Sequence, residues 1–190
     1  NLRFAGRADN FWGPTGEEGP CGPTTEIYAD GKEIWNLVFN EYYQDKNKKL
    51  TPLRQRGVDT GMGLERLAMI AQGKSSVYET DLFAPLIDSI SDQDEKAKRI
   101  IADHIKSAVF LIAEGILPSN IEHGYILRRI LRRAIRYGKS VDLISLAQKV
   151  IEIYEDVYPE LKSHKTDILT VIEKEKEKFA KTLEEGLKQF

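Results

Sequence analysis

The sequence is poor in cysteine and has no long apolar run. Cys21 is the only cysteine among 190 residues, which excludes an internal disulfide and a cysteine-rich metal site. The N-terminal residues lack the charged, apolar and small-residue order of a signal peptide, and no segment has the roughly 20 apolar residues of a membrane span. We therefore expect a cytoplasmic protein that does not enter a membrane.

An excess of either charge is also lacking. The chain holds 28 Lys plus Arg against 30 Asp plus Glu, for a net charge of -2. Total charge therefore gives no argument for binding a polyanion, and any nucleic-acid surface must be local. The apolar fraction of 41% is enough for the core of one domain or two small ones. The chain opens at Asn1 without an initiator methionine, which we interpret as an excised piece of a longer protein.

The first part of the chain carries turn and strand signals. Three Gly-Pro pairs predict loops with short strands over residues 1–33. Glu33–Tyr43 is aromatic and β-branched enough for a strand, and Leu50–Val58 for its returning partner, with a turn at residues 45–49. A hairpin is therefore predicted. A second turn is predicted at Asp59–Gly63, before a helix from Leu64 to Gln72 that Gly73 ends.

From about Tyr78 onward the apolar period becomes helical. A long helix should end at Gly115 and Pro118, and three apolar stripes follow, at Ile126–Ile135, Leu143–Tyr158 and Ile168–Leu187. The run Glu173–Lys178 alternates in charge, which predicts a solvated helix face. The predicted fold class is α+β, with an antiparallel sheet followed by an all-α part.

A motif of small residues, Gly57–Arg66, lies between the predicted hairpin and its helix. Glycines let a ligand approach the backbone closely, and an arginine in the first helical turns can bind a phosphate through two hydrogen bonds. A plain strand-turn-helix with a surface salt bridge is the alternative. The motif lacks the third glycine of a dinucleotide fingerprint, and Gly13–Gly19 lacks the lysine of a P-loop, so neither phosphate loop is predicted.

Five arginines recur every three or four residues in a segment that has no acid from Tyr125 to Val141. They are Arg128, Arg129, Arg132, Arg133 and Arg136, and they share one side of a helix whose other side is apolar. Like charges at this spacing destabilise a helix, so we interpret them as a phosphate-binding stripe for RNA. A solvated helix face is the alternative. His104 is predicted to be a packed histidine, and Cys21 a buried small hydrophobe.

Three blocks of sequence, in this order, resemble the alanyl-tRNA synthetases, a family of class II aminoacyl-tRNA synthetases. The blocks are Asn10–Gly13 with Gly19–Ile27, then Ile34–Phe39, then Asp59–Arg66. The motif at residues 57–66 is similar to motif three of class II. The resemblance covers nearly the whole chain. It implies the later part of a class II catalytic domain over residues 1–80 and a helical tRNA-recognition domain over residues 81–190.

The resemblance also implies a reaction. ATP with Mg²⁺ would activate L-alanine at its carboxylate, and alanine would then pass to tRNA(Ala), with catalysis mostly by positioning and charge stabilisation. The implied residues are Arg66, Gly61 and Gly63 for ATP, and Asp59, Asn36, Val38 and Gly61 for alanine, with Arg66 and Asp59 in catalysis. Without the resemblance, Asn36 is a polar strand residue and Val38 a core residue. No protein-bound metal is expected.

The helical part would grip the tRNA acceptor stem. Asn120 matches the asparagine that reads a G·U pair through the minor groove, where A-form RNA exposes its base edges. The family's motifs one and two are missing from this chain, so we expect that the 190 residues alone do not charge tRNA. A non-catalytic RNA-binding module and a helical scaffold are the other hypotheses. A pocket that holds only a methyl group rejects serine or glycine poorly, because one methyl group contributes only ~1 to 3 kcal/mol of binding free energy. We therefore expect editing elsewhere in the full enzyme.

Overall fold

The structure is a computed structural model that describes residues 1–14, 16–91 and 93–187. The chain divides into two compact units, Asn1–Thr80 and Asp81–Phe190. The first is built on a four-stranded antiparallel sheet, and the second contains a series of helices, which confirms the predicted α+β class. None of the described helices combines the length and the apolar character needed to cross a membrane.

The sheet has its strands in sequence order, each antiparallel to its neighbour. The strands are β1 (Phe11–Trp12), β2 (Gly19–Ala29), β3 (Lys32–Gln44) and β4 (Leu50–Met62). Asp30 and Gly31 connect β2 to β3 with positive φ values of 50° and 75°, as a two-residue hairpin turn requires. The predicted turn between β3 and β4 is confirmed, and the Asp45 carboxylate accepts hydrogen bonds from the backbone N–H groups of Asn47 and Lys49.

β2 is longer than the sequence predicts. Two Gly-Pro pairs, at residues 19–20 and 22–23, lie inside it, so the prediction of loops with short strands was wrong for this segment. Proline is tolerated here because the pairing with β3 is interrupted between Cys21 and Thr24. Only glycine fits at residue 22, since a Cβ there would lie 1.7 Å from the carbonyl oxygen of Phe39.

β4 continues through the segment that was predicted to turn. Its last residues, Asp59–Met62, pair with β3 from Val38 back to Trp35, so the turn prediction at Asp59–Gly63 was wrong. The segment does not turn because none of its glycines has a positive φ. Its small residues leave one face of the sheet open. The helix α1 (Leu64–Ala71) follows at once, and Gly73, with φ of 61°, ends it as predicted.

Helices α2 to α7 belong to the second unit. Their bounds are α2 (Ala84–Asp88), α3 (Glu95–Ala113), α4 (Glu122–Tyr137), α5 (Leu143–Tyr154), α6 (Pro159–Ser163) and α7 (Lys165–Leu187). α3 packs on α4 and α5, and α7 packs on all three. The core between them is aliphatic, with Ile101, Leu127, Leu131, Ile151 and Ile172 fully buried. Asp142 caps α5, and hydrogen bonds from the side chain and backbone N–H of Ser145 hold its pKa below the usual value.

Two helical predictions need correction at their ends. The segment from Tyr78 to Ile90 holds only a 3₁₀ turn at Val77–Glu79, in the first unit, and the short α2. α5 ends at Tyr154, short of Tyr158. A helix could not have continued through Tyr158, since the α conformation is disfavoured for a residue before proline. In α4 the apolar stripe is also shifted: Gly124 and Ala134 are buried, whereas Ile126 is 54% exposed.

Candidate functional site

One face of the sheet gathers the residues that were predicted to bind alanine. Residues directly opposite each other in antiparallel strands project to the same face, as do residues two apart in one strand. Asn36 lies opposite Gly61, and Val38 lies opposite Asp59. The four side-chain positions therefore share one side of the sheet, which we call the Asp59 face.

The Asp59 face combines an apolar wall, a carboxylate and open space. Val38 is 8% exposed, whereas Asp59 and Gly61 are exposed. A Cβ added at Gly61 would meet no atom within 4 Å, so the glycine opens room above the strand and is not required by local packing. These groups can hold a small molecule that carries both a positive charge and a short apolar side chain.

Two buried acceptors on the Asp59 face have no hydrogen-bond partner among the described residues. They are the Oδ1 atoms of Asn36 and Asn40. Asn40 lies opposite Gly57, two residues beyond Val38 on β3. A buried acceptor without a partner costs about 1–3 kcal/mol, so each of these two atoms would gain from a hydrogen-bond donor that enters this face. Asn40 was not predicted as a site residue, although the two-residue period of β3 places it on the same face as Asn36 and Val38.

Arg66 is anchored at one end of β3. Its Nη1 donates to the backbone carbonyl oxygen of Glu33 at 2.9 Å and lies 3.4 Å from Oε2 of the same residue. The guanidinium has further N–H donors beyond Nη1, and the side chain is 54% exposed, so Arg66 can still bind a phosphate. Gly63 gives this side chain room, since a Cβ there would lie 3.3 Å from Cδ of Arg66.

A surface depression surrounds Arg66. Tyr28, Lys32, Glu33 and Met69 line it, and Nζ of Lys32 donates to the backbone carbonyl oxygen of Ser75 at 3.2 Å. The Tyr28 hydroxyl donates to the Glu26 carboxylate at 2.6 Å, and this hydrogen bond raises the pKa of Tyr28. Lys32 and Arg66 thus border the depression together with the Glu33 carboxylate, which pairs with Arg66.

Cys21 and His104 are packed, as predicted. Cys21 is fully buried, and burial raises the pKa of its thiol. His104 is 13% exposed, with Nδ1 lying 2.8 Å from a carboxylate oxygen of Asp103. Within the described ranges, His, Cys, Asp and Glu side chains form no group of three or more that could hold a metal ion.

The five arginines of α4 differ in their surroundings. Arg129, Arg133 and Arg136 are exposed, whereas Arg128 and Arg132 are half-buried. Nη1 of Arg128 donates to Oδ1 of Asn120, and its guanidinium lies 5.8 Å from the centre of the Tyr125 ring. The structure therefore brings together Asn120 and Arg128, two of the residues that were predicted to contact RNA.

Arg132 forms an ion pair with an acid from α7. Its Nε lies 2.6 Å from Oε1 of Glu175, whose side chain is 5% exposed, and its guanidinium lies 5.1 Å from the centre of the Phe179 ring. The prediction of a solvated face at Glu173–Lys178 was therefore wrong at Glu175. Glu175 follows the buried Ile172 by three residues, so it lies on the stripe of α7 that faces inward.

Three arginines remain as an exposed strip on α4. Arg129, Arg133 and Arg136, which we call the arginine strip, follow one another at four and three residues and lie on one side of the helix. Arg132, by contrast, has a partner that the local sequence does not contain. The arginine strip is thus the group of exposed arginines on α4 that a polyanion can reach directly.

Loss of either member of the Arg132–Glu175 pair should destabilise the second unit. We expect Glu175→Ala to lower the free energy of unfolding by about 2–3 kcal/mol, because it leaves a half-buried guanidinium without its partner. Urea denaturation of the variant measures this change. Lys162→Ala is the control: Lys162 is 70% exposed beside Glu155, so its loss should change stability by less than about 0.5 kcal/mol. Equal stability of the two variants would contradict a structural role for the buried pair.

Comparison with known proteins adds a family match. The family model described as tRNA synthetases class II (A) matches residues 2–190. The alanine–tRNA ligase of Borrelia hermsii is 45% identical, covering 100% of this chain and 38% of the relative. Those of Dehalococcoides mccartyi and Legionella pneumophila are 41% and 43% identical, each covering 96% of this chain and 25% of the relative. The chain therefore spans between a quarter and two fifths of the length of these relatives.

Proposed function

The chain belongs to the class II tRNA synthetase family, and from this membership we propose that it is a piece of an alanine–tRNA ligase. In the proposed reaction the carboxylate of L-alanine attacks the α-phosphate of ATP and pyrophosphate leaves. A hydroxyl at the 3′ end of tRNA(Ala) then attacks the alanyl carbonyl of the resulting adenylate, and AMP leaves. The relatives described above are alanine–tRNA ligases, which supports this reaction, and the chain spans less than two fifths of their length. The activity is therefore a proposal, as is the cytoplasmic location expected from the sequence.

The observation that carries the proposal is the register of β3 and β4, which places Asn36, Val38, Asp59 and Gly61 on one face. A free amino acid brings an ammonium group, which a fixed carboxylate can bind, and Asp59 offers that carboxylate. Val38 would contact the methyl group, and the open space at Gly61 would admit the substrate. Asn36 adds a buried acceptor that has no partner within the described residues. Together these features match the chemistry of a small amino acid.

ATP would lie beside the alanine, at the Arg66 end of β3. The free donors of the Arg66 guanidinium would bind the terminal phosphate, and Lys32 borders the same depression. Gly61 leaves room above the strand, and Gly63 leaves room for Arg66 itself. Mg²⁺ would arrive with ATP as part of the substrate. In this arrangement Asp59 and Arg66 hold the two reactants in position for an in-line attack.

The second unit would bind the acceptor stem of tRNA(Ala). We propose that the arginine strip contacts phosphates, because its side chains are exposed, and that Arg128 and Asn120 act together at a base edge. In this proposal Arg132 supports the surface through Glu175 and contributes less to binding. An RNA-binding module without catalysis is a second candidate, favoured by the fact that the arginine strip lies in a unit separate from the sheet.

An exchange assay of the full-length protein tests the proposed function. We expect ATP–pyrophosphate exchange to depend on alanine, with serine and glycine activated about 10- to 200-fold less efficiently, since one methyl group is worth ~1 to 3 kcal/mol. The 190-residue chain alone should show no exchange, because Asp59 and Gly61 are exposed and the pocket around the ammonium is not closed. Exchange with a large amino acid would contradict the proposed function. Exchange by the isolated chain at the rate of the full-length protein would contradict its expected inactivity.

A further inference from the structure

We propose that Asn40 is a further alanine-binding residue, whose Oδ1 accepts a hydrogen bond from the ammonium group of the substrate. This inference rests on the proposed function of the Asp59 face. It adds a neutral acceptor to the Asp59 carboxylate at the ammonium group, and it assigns a role to a side chain that was not predicted from the sequence.

The register of β3 and β4 builds a regular arrangement around Asp59. Asp59 lies opposite Val38, and the next pair on one side is Asn36 with Gly61, while the next pair on the other side is Asn40 with Gly57. Asp59 is therefore the diagonal neighbour of both asparagines. Diagonal neighbours lie about 7–8 Å apart, within reach of a small group held between their side chains.

The number of acceptors matches the chemistry of an ammonium group. An ammonium nitrogen carries three N–H donors, and it is bound well only when each donor has an acceptor. The Asp59 carboxylate supplies the charge and two acceptor oxygens, and Oδ1 of Asn40 supplies a neutral third acceptor. Asn36 lies four residues from Asn40 on β3, about 13 Å away, so it does not share this nitrogen. Oδ1 of Asn40 is buried and has no partner among the described residues, so the ligand would satisfy it.

The glycines of β4 leave the required space. A Cβ built at Gly57 or at Gly61 would meet no atom within 4 Å, so neither glycine is needed for packing. Each glycine lies opposite one of the two asparagines. The free volume at Gly57 therefore lies where the ammonium group would have to enter to reach Oδ1 of Asn40, beside Val38.

The test compares Asn40 variants of the full-length protein in alanine-dependent ATP–pyrophosphate exchange. Asn40→Ala should raise KM for alanine about 10- to 100-fold, because a hydrogen bond to a charged group is lost, and should leave KM for ATP unchanged. Asn40→Asp keeps an oxygen acceptor and should stay within about 3-fold of the unaltered protein. Asn47→Ala, in the turn between β3 and β4, is the matched control and should change neither constant.

The outcomes separate this inference from the function on which it rests. If Asp59→Ala abolishes exchange but Asn40→Ala leaves KM for alanine unchanged, the role of Asn40 is overturned and the proposed function stands. If Asn40→Asp is impaired as much as Asn40→Ala, the amide contributes a donor and the acceptor assignment is overturned. Asn40→Leu, which is close in volume, supplies the same readout if Asn40→Ala does not fold.

Discussion

Replacing Asp59 by alanine in the full-length protein is expected to lower kcat/KM for alanine in ATP–pyrophosphate exchange by about 10³-fold. Removing one partner of a desolvated, hydrogen-bonded charge pair costs about 2–5 kcal/mol, and 1.4 kcal/mol is a factor of ten. Asp59 is the central carboxylate of the Asp59 face, opposite Val38. Glu26 lies on the same face, opposite Asn36, but it is on β2, with β3 between it and Asp59. We therefore expect Glu26 not to replace Asp59.

The fold should tolerate this substitution. Asp59 is exposed, and its side chain makes no hydrogen bond or ion pair within the part of the chain that the structure describes. Binding of tRNA and the thermal unfolding midpoint should stay unchanged. Glu41→Gln is the control, because Glu41 is a carboxylate of the same sheet that lies 4.0 Å from the exposed Arg56 and is not paired with Asp59. If Asp59→Ala keeps exchange within about 3-fold of the unaltered protein, the assignment of Asp59 to the ammonium group is wrong.

Local signals in the sequence were enough for several elements of the fold. The hairpin of β3 and β4 follows from aromatic and β-branched residues on both sides of a polar turn, and α1 follows from its apolar spacing and Gly73. β2 was missed because its Gly-Pro pairs are turn signals everywhere except at a strand start or a bulge. The irregularity in β2 is defined by its pairing with β3, so the sequence of β2 alone does not predict it.

The candidate site depended on contacts between residues that are distant in sequence. Gly61 was predicted to lie in a turn, and only the register with Asn36 places it on a sheet face with Asp59. The buried state of Glu175 depends on Arg132, which lies 43 residues away, so counting charges along the chain could not reveal it. The resemblance implied the positions for alanine binding, and the register of β3 and β4 puts them on one face of the sheet.

Replacing Arg129, Arg133 and Arg136 together by alanine should weaken binding of a tRNA(Ala) acceptor-stem hairpin by about 10²- to 10³-fold. The three side chains are exposed along roughly 10 Å of α4, so each can contact a phosphate. A hydrogen bond between charged groups contributes about 1.5–3 kcal/mol, and the three contributions are expected to sum to less than three times this value. Each phosphate contact also releases counterions. The slope of log affinity against log salt should therefore become shallower by about 2–3, which a titration at several salt concentrations measures.

Arg132 stays unaltered in this experiment, because its loss would also break the buried pair with Glu175 and confuse unfolding with weaker binding. The matched control is the alanine variant of Lys174, Lys178 and Lys181. These lysines are exposed on α7 with the same spacing as the arginine strip, and their replacement removes the same charge. If the strip acts only through net charge, both triple variants lose affinity equally, and the proposed interface is wrong. A loss confined to the α4 variant, with the shallower salt slope, is the result we expect from phosphates held along one helix.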